Sequence, residues 1–117
     1  MLENELEFKN AIDLFNDHEW YLAHDALEEI WHNTIGRERI TIQAILQIAV
    51  AQVHLSNDNL KGATILYGEG LGRLKSTGIP TLGLDIENLT EIVEQRLKIL
   101  QEGRDVFNVS EPKLLKR

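Results

Sequence analysis

The chain has 117 residues, no cysteine, four histidines and a formal net charge of −7, which excludes disulfides, thiol catalysis and cysteine-ligated zinc or iron–sulfur centres. A chain of this length buries ~65% of its unfolded surface, so one helical-bundle domain over residues 1–117 is expected, with 103–117 as a C-terminal tail. The opening residues Met1 to Glu5 carry no basic-then-apolar leader and no apolar run approaches the ~20 residues of a membrane span, so a soluble cytoplasmic protein with no membrane partner is the expectation.

The first predicted helix runs from about Asn4 to Asn16, with Phe8, Ala11, Ile12 and Phe15 on one face. Asn16-Asp17-His18 breaks it and offers capping side chains to a second helix over about 18–33. Wheeled at ~100° per residue, the second helix carries Trp20, Ala23, Leu27 and Trp31 as an apolar stripe. His24 falls inside that stripe and Glu28 on its edge, which predicts that both are buried and need partners. Residues 1–31 hold nine carboxylates against the single base Lys9. That imbalance argues against nucleic acid as a partner. It suits a basic protein, or a basic patch on a second copy, docking on the acidic N-terminal hairpin; a merely solvated acidic face is the plainer alternative.

Asn33-Thr34-Ile35-Gly36 reads as a turn, and a third helix follows over about 38–56. It is apolar almost all round, through Ile40, Ile42, Ile45, Leu46, Ile48, Val50, Val53 and Leu55. Its polar side chains Gln43, Gln47 and His54 fall within ~40° of one another, forming a seam. Directed at the second helix, that seam predicts a buried network of His24, Glu28, Gln47 and His54 with Gln43 at its rim. Ser56 to Asn59 makes the next turn, the fourth helix reaches about Ser76, and Thr77-Gly78-Ile79-Pro80 ends it. A fifth helix spans about Asp85–Glu102, with Leu89, Ile92, Val93, Arg96, Leu97 and Leu100 inward. Five helices with short connections predict an all-α bundle centred on the third. An internal repeat at an offset of ~40 sharpens this: Asp17, Trp20, Ala23, Leu27 and Trp31 align with Asn57, Leu60, Ala63, Tyr67 and Leu71. Two stacked αα-hairpins plus a capping helix follow from it.

Phe15-Asn16, Trp20-Tyr21, Ala23-His24, Glu28 and Trp31, then Gln43 to Val50, then His54, Asn59 and Gly62-Ala63 together resemble the signature of a bacterial, archaeal and plastid-lineage family, domain of unknown function 309. The resemblance covers about residues 8–75. One departure is Asp25, where that family usually has glutamate. The resemblance implies an all-helical bundle and names no reaction.

His24, Glu28 and His54 are competent metal ligands by type, but the known helical metal motifs do not match. A zincin needs H-E-x-x-H, and this chain has Asp25 and Glu28 where Glu and His would stand. A ferritin-like centre needs two Glu-x-x-His motifs, and Glu29-x-x-His32 is one, directed outward. Gly68-Glu69-Gly70-Leu71-Gly72 lacks the preceding strand of a phosphate loop; its glycines suit close helix approach. His18 and His32 lie at helix ends, and no serine has a base partner. The favoured expectation is a non-enzymatic protein-interaction or regulatory module with no cofactor. The alternative is a metal- or small-ligand-binding protein, or a hydrolase, using His24, Glu28 and His54.

Overall fold

The computed structural model describes residues 1–117. A 3-10 turn at Leu2–Asn4 leads into five α-helices: α1 Leu6–Asn16, α2 Trp20–His32, α3 Glu38–Ser56, α4 Leu60–Leu74 and α5 Ile86–Gln101. It contains no strand ladder, only one isolated bridge between Leu84 and Lys116. The all-α bundle of two hairpins plus a further helix is the observed architecture. Boundaries shift by a residue or two. The first helix begins at Leu6 because the chain before it makes the tighter 3-10 turn, and α2 begins at Trp20 because His18 leaves the helical region with a φ of 62°.

Each substantial helix–helix interface joins neighbours in the chain: α1 with α2, α2 with α3, α3 with α4, and α4 with α5. The central helix α3 is packed on two sides, and Ile42, Ala44, Ile45, Ile48, Ala49 and Ala51 are fully buried on it. The 40-residue repeat appears in the backbone. After α1 the N–H groups of His18 and Glu19 donate to Phe15 and Leu14; after α3 those of Asp58 and Asn59 donate to Leu55 and His54. Both ends are Schellman caps, closed by a left-handed residue, His18 or Asp58. The third odd-numbered helix ends the same way, Gly103 and Arg104 donating to Leu100 and Ile99. Small residues then allow the close crossings. Ala23 and Ala63 are both fully buried, and a Cβ on Gly70 would stand 3.2 Å from the Ala44 carbonyl oxygen of α3.

Where a partner helix for α5 would stand, the chain instead doubles back along α5 as an extended strap. Val106 and Leu114 anchor it in the core, 1% and 4% exposed. The Asn16 side chain grips Leu114 from both sides, donating to its carbonyl at 2.9 Å and accepting from its N–H at 2.7 Å. His18 Nδ1 lies 2.9 Å from Glu111, and the Asp85 N–H donates to the Leu115 carbonyl. No helix is long and apolar enough to cross a membrane.

Candidate functional site

The buried stripe of α2 is Ala23, Leu27 and Ile30, with Ala26 partly buried beside it. On the wheel this centre lies ~40° from the one drawn through the two tryptophans, because aromatic rings are long enough to reach the core from its flanks. His24 and Glu28 are therefore turned outward, with side chains 29% and 47% exposed, which corrects their expected burial. They pair with each other along the helix, His24 Nε2 to Glu28 Oε2 at 3.0 Å. The other ring nitrogen of His24 faces Asp25 at 3.1 Å, and Glu28 Oε1 stands 3.8 Å from His32. No three histidine or carboxylate side chains of the chain are grouped as ligands for one ion.

The polar seam of α3 is used by α4 instead of α2. Gln47 donates from Nε2 to Glu69 at 2.9 Å and accepts from Arg73 Nη1 at 3.2 Å. His54 sits at the α3–α4 turn beside Asn59. The Asn59 carbonyl oxygen caps α4 by accepting from the Gly62 N–H at 2.9 Å. Its amide nitrogen is left facing His54 Nδ1 at 3.2 Å, which makes that ring nitrogen the acceptor. Gln43, half-buried one turn before Gln47, joins neither group. Four of the five nominated residues thus divide among a surface pair on α2, an α3–α4 bridge and a helix cap, and Gln43 stands apart. They do not form one network.

The deeply buried polar cluster lies elsewhere. Tyr67 on α4 is fully buried, with Gln52 on α3 and Arg96 on α5 at 3% and 1% exposure. The Tyr67 hydroxyl donates to Gln52 Oε1 and accepts from Arg96 Nε at 2.8 Å. Arg96 Nη1 continues to the strap carbonyls of Val109 and Ser110 at 3.2 and 2.9 Å. Burial pushes the Tyr67 phenol up to about 12, with the Arg96 guanidinium pulling in the opposite direction. This cluster ties α3, α4, α5 and the strap together. Its sequence signal was an arginine on the inward stripe of α5.

An open groove of about 770 Å³ runs between the start of α1 and the end of α2. Its apolar lining is Leu2, Ala26, Ile30 and Ile35, its neutral polar lining Asn10, Asn33 and Thr34, and its carboxylates Glu5, Glu7, Glu29 and Glu38. No lysine or arginine lines it. Glu5 occupies the N-cap position of α1 without a side-chain hydrogen bond, while Glu7 and Glu38 lie in the first turns of α1 and α3, where the positive end of a helix dipole favours a carboxylate. Glu29 is the exception. It stands in the last turn of α2, against the negative end. A shallower depression lined by Asp25, Glu28, Glu29, His32 and Asn33 adjoins it, sharing Glu29 and Asn33.

A model of the family described as domain of unknown function (DUF309) matches residues 8–66. The match spans α1 to the middle of α4 and includes all five nominated residues, whereas Tyr67, Arg96 and the strap lie beyond it. No curated protein matches the chain.

Proposed function

This chain belongs to the DUF309 family, whose description assigns no activity, and we propose that it is a non-enzymatic interaction module whose acidic α1–α2 hairpin receives a cationic partner. The observation that carries this reading is Glu29. A carboxylate in the last turn of a helix costs about 0.3–1 kcal/mol, and here it lines one groove with Glu5, Glu7 and Glu38 and with no lysine or arginine. Self-repulsion of this kind is the signature of a surface completed by a positive charge from outside the fold. The same potential repels nucleic acid and anionic lipid.

The reading separates from a merely solvated acidic face by one substitution. Glu29→Lys should raise the melting temperature by about 2–6 °C, since it replaces an unfavourable dipole interaction with a favourable one. It should at the same time weaken binding of polylysine, as should joint reversal of Glu3, Glu5 and Glu7, and binding to the wild type should fall as salt rises. Unchanged affinity in both variants would remove the hairpin from the function. The alternative, metal or small-ligand binding by His24, Glu28 and His54 together, requires them to share a site, and His54 is engaged with Asn59 at the α3–α4 turn.

A further inference from the structure

We infer that the seat of the strap along α5 is an extended-peptide site, and that two copies of this chain assemble by exchanging straps between their seats. The occupant present in the structure defines what the seat recognises. From Glu111 to Leu115 burial alternates, with Pro112 and Leu114 inside and Glu111, Lys113 and Leu115 outside, the period of an extended segment with one face packed. Polar recognition is mostly of main chain. Arg96 donates to the carbonyls of Val109 and Ser110, Asn16 engages both main-chain groups of Leu114, and the Asp85 N–H donates to the Leu115 carbonyl. These partners all lie outside the strap, on α1, at the N-cap of α5 or on α5 itself. A strap arriving from a second copy meets the same set, as an added extended peptide does in other folds.

Two further observations favour exchange over a strap that stays closed. The hinge is tied only locally. Gln101 to Asp105 are all exposed, the Glu102–Arg104 ion pair is internal to them, and the cap hydrogen bonds run back to Ile99 and Leu100. The reversal of direction rests on Gly103, left-handed with a φ of 70°, and a Cβ placed there meets nothing within 4 Å. Opening the hinge therefore gives up one helix cap and no buried contact. The seat, by contrast, is poorly suited to standing empty. Arg96 is 1% exposed, and its hydrogen-bond partners are the Tyr67 hydroxyl and the two strap carbonyls, none of them a carboxylate. Release of the strap removes two of those three acceptors and uncovers the apolar seats of Val106 and Leu114, so an open chain is driven to take up an equivalent segment. A second copy supplies one that remakes every contact, which is the condition under which an exchanged element costs little.

The test uses the full chain, which has no cysteine of its own. His18 and Glu111 meet at 2.9 Å with side chains 53% and 40% exposed, so His18→Cys and Glu111→Cys are made as separate variants. The two are mixed, unfolded in urea and refolded together at about 1 mM, the effective concentration of a tethered segment with which a second copy competes. Sedimentation should then show a dimer. A short bis-maleimide, chosen as one that joins the two positions within a single chain of the double variant, should link position 18 of one variant to position 111 of the other, as read by mass spectrometry of tryptic peptides. Refolding a hundredfold more dilute should give monomer without that link. Gly103→Ala, strained in the reversed hinge and relaxed in an opened one, should tighten the dimer of the otherwise natural chain about tenfold, because two hinges are relieved per dimer. Monomer alone at the higher concentration, a dimer whose copies are not joined between positions 18 and 111, or a Gly103→Ala dimer no tighter than that of the natural chain would overturn the inference.

Discussion

Replacing Tyr67 by phenylalanine removes one oxygen atom and strands two buried groups, the Arg96 Nε–H and the Gln52 carbonyl oxygen. All three side chains are essentially inaccessible, at 0%, 1% and 3% exposure, so water cannot take the place of the hydroxyl. A buried polar group left unpaired costs roughly 1–3 kcal/mol, with hydrogen bonds to charged groups at the upper end. Arg96 keeps two carbonyls of the strap, so its charge is not wholly abandoned. A loss of about 3 kcal/mol is expected, a large part of the ~5–15 kcal/mol typical of a domain. Urea unfolding followed by circular dichroism at pH 8 measures it. The alkaline limb supplies an independent reading. The unfolded phenol loses its proton near pH 10, and the folded one holds it to about 12. The unfolded state therefore releases a proton first, and the stabilisation is complete below pH 10 and lost between pH 10 and 12. A shift of that size corresponds to roughly 3 kcal/mol, and Tyr67→Phe should delete this part of the alkaline slope. Combined with Arg96→Met, its cost should fall short of the sum of the two single costs by ~1 kcal/mol or more. A Tyr67→Phe protein within about 0.5 kcal/mol of wild type, as for an ordinary surface change, or one with an unaltered alkaline slope, would refute the buried-cluster account.

Two glycines of α4 should respond oppositely to alanine. Gly70→Ala places a Cβ 3.2 Å from both the Ala44 carbonyl oxygen and an Ile48 side-chain carbon and should cost about 1–3 kcal/mol by overpacking, whereas Gly68→Ala meets nothing within 4 Å and should stabilise by up to ~1 kcal/mol; thermal melts distinguish them. Asn16→Ala removes both hydrogen bonds to Leu114 and should cost about 1–3 kcal/mol, with hydrogen exchange at the Leu114 amide accelerating more than at amides of α3. Glu28→Gln should cost under ~1 kcal/mol in chemical denaturation, as befits an exposed pair; a larger loss would mean that His24 and Glu28 are buried after all.

The helices were legible because apolar periodicity and turn residues agree locally, and the repeat was legible because the hairpins close with the same capping chemistry. The direction of His24 was not, for a reason specific to α2. In the sequence its stripe runs through Trp20 and Trp31, yet both are only partly buried, and Ala23, Leu27 and Ile30 set the true centre. Gln47 shows a second limit. A wheel fixes angles between side chains of one helix but not which neighbour faces them, and α3 has α2 on one side and α4 on the other. Arg96 was legible as an inward position and not as a cluster, because its strap partners lie in irregular chain with no period to read. The groove was visible as charge alone. Its apolar lining is assembled from Leu2, Ala26, Ile30 and Ile35, residues from three separate segments.

The neighbour-to-neighbour packing of the helices also bears on how the chain folds. Contacts between adjacent elements are cheap in loop-closure entropy and are available early. The strap is the opposite: the Asn16–Leu114 pair is separated by 98 positions, and it joins the end of the first helix to the far side of the last. Such a contact is the costliest to bring together and is expected to form after a nucleus of α2, α3 and α4. Substitutions at Leu27, Ile45 and Tyr67 should therefore slow folding. Those at Asn16 and Leu114 should act almost wholly by speeding unfolding, so the strap governs how long the folded protein lasts more than how quickly it forms.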